Sequence, residues 1–145
     1  MSLTAGAYDA SDPALPTSIQ NFLAANGGQF GNSSTNTSIS SAIQGVISIS
    51  GAVNLDFIDA NAAPVYAAHE EFDTVVPCGT STSIPGFTAA GGCDMVPAFL
   101  AASVPAELYL LAGSTGHVGF TVPQFTEILD GAAAFMLHEV VAPTP

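Results

Sequence analysis

Two short stretches carry residues able to do acid–base chemistry. His69-Glu70-Glu71-Phe72-Asp73-Thr74-Val75-Val76-Pro77 sets one imidazole and three carboxylates ahead of a proline, and Gly113-Ser114-Thr115-Gly116-His117-Val118-Gly119 sets another imidazole among turn formers. A carboxylate brought to Nδ1 of an imidazole fixes the tautomer that leaves Nε2 as a base facing a nucleophile. An acid in the first stretch and His117 in the second, each in a short turn, have the residue types for that task. Glu70, Glu71 and Asp73 could instead group around a hard cation, but the Asp-x-Asp-x-Asn spacing of calcium loops is missing. His69 ends an apolar run and reads as structural. His138, beside Glu139 near the end of the last helix, reads as a favourable partner of the helix dipole. Gly113 and Gly116 permit a turn and are too few and wrongly spaced to cradle a phosphate.

Strands must hold these loops. Residues 45–53, GVISISGAV, are β-branched and bounded by glycine, and residues 64–69, PVYAAH, form another apolar run that ends in acids. Near-continuous apolar runs belong to strands covered on both faces, hence to a parallel sheet. A third strand is expected over residues 106–112, AELYLLA. Helices are expected over residues 17–25, stopped by Asn26-Gly27-Gly28, and over 93–103, where Val96, Phe99, Leu100 and Ser103 fall at helical spacing. The clearest helix covers residues 122–141, with Phe125, Ile128, Leu129, Ala132, Phe135, Met136 and Val140 at 3.6 periodicity and Pro123 in the first turn. Residues 29–41 read as a long Gly, Asn, Ser and Thr loop. Strand, helix, strand, helix over short connections is a βαβ pattern with right-handed crossovers. In such a sheet the loops at the carboxyl ends of the strands converge on one crevice, which is where both acid–base loops fall.

In this order of segments the chain resembles the α/β-hydrolases, and among them the carboxylesterase and polyester-depolymerase-like enzymes, over residues 45–140. In that family a strand like VISISGA precedes an APV strand, an H-G-x-x-D-x-x-V-P loop, a helix, a strand, a G-x-x-H loop and a closing helix. Here IDANAAPVYAAHEEFDTVVPCG and VPAELYLLAGSTGHVGF stand in the same order. The resemblance implies a partial α/β-hydrolase fold, with three parallel strands and flanking helices forming the C-terminal half of a doubly wound sheet. It also implies that Asp73 is the acid and His117 the base of a serine-hydrolase triad acting on a small or polymeric carboxylic ester, with no cofactor. Glu70 departs from the pattern, since the family has glycine after the histidine; it sets a carboxylate beside the acid loop. No G-x-S-x-G nucleophile elbow occurs in the chain. The nearest match, Ser2-Leu3-Thr4-Ala5-Gly6-Ala7, puts Thr4 at the nucleophile position, where a β-branched residue suits the required positive φ poorly. On this alignment residues 1–44 hold an elbow remnant, a helix and a loop, and residues 45–145 the strand–helix core of one truncated domain. The competing expectation is a non-catalytic fragment or pseudoenzyme that keeps the sheet and the acid–base pair but lacks nucleophile and oxyanion hole. A truncated sheet would also leave the edge of its first strand open, with Val46, Ile47 and Ile49 lacking a neighbouring strand, and favour a homo-oligomer through that edge.

Composition narrows the partners. The 145 residues include 12 acids and no lysine or arginine, for a formal charge of -12, so nothing in the chain can neutralise a phosphate backbone and nucleic acid is excluded as a partner. Every carboxylate lacks a Lys or Arg partner, and the resulting self-repulsion is of the kind that salt screens. Salt adaptation would crowd the surface with Asp and Glu, whereas Ser, Thr, Asn, Gly and Ala fill the polar positions here. Apolar residues make up 48%, enough for one packed core. The apolar runs are far shorter than the ~20 residues that span a bilayer, and no basic segment precedes an apolar one at the start. Cys78 and Cys93, without C-x-x-C spacing, leave a choice between two buried thiols and a disulfide; the disulfide is favoured, and with it export to the periplasm or outside the cell.

Overall fold

The structure is a computed structural model that describes residues 16–25, 42–84 and 87–142. Helix α1, Thr17–Ala25, has the expected bounds and buries none of its residues. The central element is a parallel three-stranded sheet of β1 (Val46–Ile49), β3 (Val65–Glu70) and β6 (Ala106–Leu111), with β3 in the middle. Val46 pairs with Val65 and Val65 with Ala106, so all three strands start level and end along one edge.

All six residues of β3 are buried, as expected of a strand covered on both faces. Alternation sends Val65 and Ala67 to one face, where they pack with Met95, Val96 and Phe99 of α2 (Gly92–Ala101) and with Val46, Val53 and Val104. Tyr66 and Ala68 point the other way, onto Ile128, Ala132 and Phe135 of α3 (Val122–Met136). Phe99 and Ile128 are completely or almost completely enclosed, and each such side chain contributes on the order of 1.5–3 kcal/mol. The same alternation continues into chemistry: His69 follows Val65 and Ala67 onto the α2 face, and Glu70 follows Tyr66 and Ala68 onto the α3 face.

Helix α3 begins as its sequence directs. Pro123 lies in the first turn, and the Thr121 N–H donates to Gln124 Oε1 at 2.8 Å, one half of a capping box. The expected helix over residues 122–141 is α-helical only to Met136 and closes in a π-turn, Leu137–Val141. Its apolar stripe is also narrower than the periodicity suggests. Ile128, Ala132 and Phe135 are buried, while Phe125 and Leu129 stay exposed. In α2, likewise, Leu100 faces outward and Ser103 ends the helix with φ +63°.

One expectation is corrected. Residues 45–53 do not make one strand. The chain leaves the parallel sheet after Ile49, turns at Ser50, and Val53 joins a second, antiparallel sheet of β2 (Val53–Asn54), β5 (Phe87–Ala90) and β4 (Thr80–Ile84). This small sheet is fastened to α2. The Cys78–Cys93 disulfide joins the segment before β4 to the start of α2, and Asp94 Oδ2 accepts from Thr80 N and Thr80 Oγ1 at 2.7 and 2.6 Å. Among the described residues, no helix is long and apolar enough to cross a membrane.

Candidate active site

Both acid–base loops leave the carboxyl edge of the parallel sheet. The acid loop follows β3. Asp73 is buried, and its Oδ1 accepts from the amides of Val75 at 2.8 Å and Val76 at 2.9 Å, which makes residues 73–76 a tight carboxylate-centred turn. The base loop follows β6, and its His117 places Nδ1 2.8 Å from Asp73 Oδ2. The Asp73 side chain is fully enclosed, whereas the imidazole is 33% exposed. The carboxylate can only accept, so His117 Nδ1 carries a proton, which in the neutral tautomer leaves the lone pair on Nε2. Burial pushes the Asp73 carboxyl up, but the His117 hydrogen bond and the Val76 and Val75 amides outweigh it and hold the group below the ordinary aspartate value.

His69 supports the acid loop. Its Nδ1 accepts from the Gly92 amide at 3.1 Å, so the opposite nitrogen carries the proton, and Nε2 donates to the Val76 carbonyl at 2.9 Å. Asp73 Oδ2 lies farther from that nitrogen, at 3.6 Å. The ring is 1% exposed and spans from α2 to the turn that holds Asp73, the structural part its position suggests. Gly92 suits this approach, since a Cβ there would stand 2.8 Å from Leu108 Cδ1 and 3.1 Å from His69 Cβ and would make those side chains give way. His138 lies elsewhere, on the closing π-turn, paired with Glu139 at 2.7 Å.

Glu70 does not act on the acid loop. It is fully buried at the end of β3, where Oε2 accepts from Ser50 Oγ at 2.5 Å and Oε1 from the Gly119 amide at 2.6 Å. Ser50 Oγ also lies 3.4 Å from the Val118 amide, a weaker contact. Sequence reasoning missed Ser50; a serine before glycine at the end of a β-branched run was the available signal. Ser50 and Val118 both have positive φ, +47° and +56°. For a β-branched residue that conformation stores roughly 1–3 kcal/mol and persists only where surrounding contacts impose it. Glu71, by contrast, is partly exposed and accepts from the Gly113 amide at 2.8 Å.

Thus the structure brings Asp73 and His117 together as the sequence suggests. Thr4 lies outside the described residues. Among the described residues no three of His, Cys, Asp and Glu converge to hold a metal ion. Phe72, Val75 and Val118, which flank the acid and the base in sequence, are all more than half exposed. No protein-family model matches the chain, and neither a curated protein nor a solved structure matches it.

Proposed function

We propose that the chain is a carboxylic ester hydrolase of the serine-hydrolase type, built on part of an α/β-hydrolase fold, in which Asp73 orients His117 as general base. The observation that carries this reading is the 2.8 Å contact between a buried carboxylate and a half-open imidazole on adjacent strand ends of a parallel sheet. A structural histidine is satisfied at both nitrogens, as His69 is. His117 has its hydrogen bond among the described residues at Nδ1, and a third of its side chain is exposed.

In this mechanism a hydroxyl attacks the ester carbonyl while His117 Nε2 takes its proton, and Asp73 stabilises the resulting imidazolium. The carbon–oxygen bond to the alcohol then breaks, and Nε2 returns the proton to the departing alkoxide. Water enters the acyl-enzyme by the same route in reverse: Nε2 removes its proton, the acid is released and the hydroxyl recovers its hydrogen. The resemblance assigns the hydroxyl to Thr4. The exposed apolar side chains of the two loops, Phe72, Val75 and Val118, favour an ester with an apolar acyl or aryl part over a charged one. The Cys78–Cys93 disulfide fits an oxidising compartment, so export belongs to the proposal.

Hydrolysis of p-nitrophenyl acetate and butyrate by wild type, His117→Ala and Thr4→Ala tests it. Turnover that falls at least 10³-fold in His117→Ala is expected from the loss of a triad base. A rate unaffected by that change removes the triad assignment, and no turnover in wild type favours the non-catalytic alternative.

A further inference from the structure

Glu70 is an expensive residue in its place. A carboxyl group with no exposed surface, in a chain without lysine or arginine, takes its hydrogen bonds among the described residues from the Ser50 hydroxyl and the Gly119 amide. Both bonds are short, in the range of donors to a carboxylate. They reach two separate chain segments: Ser50 ends β1, and Gly119 lies two residues beyond His117 in the base loop. Through Ser50 the couple also faces the Val118 amide, so two successive N–H groups of that loop converge on it as in an anion nest. The left-handed φ of Val118 aims them, and this strained residue is bonded directly to His117. Oε1 borders the turn at both glycines, since a Cβ on Gly116 or Gly119 would make ordinary contact with it at 3.4 or 3.6 Å.

We propose that Glu70, acting with Ser50, is a positioning residue that clamps the 116–119 turn and thereby holds the His117 ring against Asp73. This rests on the hydrolase reading for its catalytic consequence but not for its structural one. The sheet supplies one buried support per loop from consecutive residues of β3: His69 holds the acid turn through Val76, and Glu70 holds the base turn through Gly119. Glu71 and Phe72 tie down the start of the base loop, at Gly113 and Ser114, both at 2.8 Å, and Glu70 is the side chain that reaches the loop on the far side of His117, at Gly119.

The test uses the full chain and the variants Glu70→Ala, Glu70→Gln and Ser50→Ala, read by imidazole ¹H–¹⁵N spectra and by kcat and KM for p-nitrophenyl butyrate. Wild type should show a slowly exchanging His117 Nδ1–H. In Glu70→Ala that signal should broaden or vanish while the His69 signal persists as the control for folding, and kcat should fall about 10- to 100-fold with KM within about twofold. Glutamine keeps an acceptor for the Gly119 amide, so Glu70→Gln should restore the His117 signal and most of kcat. Ser50→Ala should give the intermediate result. An unchanged His117 signal in Glu70→Ala overturns the proposal; if that variant loses both histidine signals by unfolding, a wild-type His117 signal in Ser50→Ala overturns it, and a broadened one supports it. A chain without turnover whose His117 signal still depends on Glu70 keeps the clamp and loses the hydrolase. Turnover that needs His117 but ignores Glu70 does the reverse.

Discussion

Replacing Asp73 by asparagine should leave the fold standing and disable the base, for a reason that lies in two backbone amides. In the native turn Oδ1 accepts from Val75 and Val76 while Oδ2 meets His117 Nδ1. An asparagine must present its oxygen to one side and its NH₂ to the other. Turning the NH₂ toward the two amides loses two hydrogen bonds of about 1 kcal/mol each and sets donor against donor, so that orientation is suppressed roughly 30-fold or more. The NH₂ therefore faces His117, and Nδ1 must become the acceptor. The ring proton moves to Nε2, which can no longer take a proton from a nucleophile. In serine-hydrolase triads this exchange lowers kcat about 10⁴-fold, or roughly 5.5 kcal/mol in the barrier. The assay is p-nitrophenyl butyrate hydrolysis alongside the ¹⁵N shifts of His117 at a pH where the ring is neutral. Nε2 should be the unprotonated nitrogen in wild type and Nδ1 in Asp73→Asn. An Asp73→Asn enzyme within tenfold of wild type, or one that keeps Nε2 unprotonated, would refute the reasoning.

Three further outcomes are expected. The folded-state Asp73 carboxyl lies below its ordinary value of about 3.9, so its stabilisation is present in full above that pH and is lost as pH falls through the lower folded value. The melting-temperature gap between wild type and Asp73→Asn should thus hold steady through mildly acidic pH and close only in stronger acid; a gap that widens on acidification contradicts the sign. The Cys78–Cys93 bridge closes a loop with a separation of 15 residues, so Cys78→Ser/Cys93→Ser should cost about 3 kcal/mol in chemical denaturation. Equal stability of the two forms would show that the bridge contributes nothing. Finally, β1 is an edge strand with Ile47 45% exposed, and self-association through it should appear in light scattering as a dimer or larger species that Ile47→Lys reduces. A strict monomer at high concentration would contradict this.

How much of this was legible in the sequence depends on what each residue signals by itself. VISI, VYAAH and AELYLL announce their strands because a buried parallel sheet demands unbroken apolar runs, and their order along the chain is also their order in space. The shared sheet edge made the two loops legible, whereas the choice of Asp73 over Glu70 and Glu71 came from the family resemblance. The antiparallel sheet was not legible. Residues 80–84, TSTSI, carry no apolar alternation, and the strand is placed by a disulfide and by Asp94, neither of which leaves a periodic trace. Val53 looked like the tail of β1 because β-branched residues continue past Ser50; the break comes from that serine's left-handed turn, which its type does not advertise. Glu70 was visible only as a departure from glycine. Its part follows from the two-residue alternation of β3, which turns it away from the acid loop beside it and toward the base loop.

Reaction with a fluorophosphonate probe, followed by peptide mapping of intact wild type and His117→Ala, tests the central claim most directly, because such probes label only a hydroxyl that a neighbouring base activates. The account predicts near-stoichiometric labelling of one hydroxyl in wild type, with the label lost in His117→Ala. No label in wild type, or equal labelling of the two proteins, would contradict it.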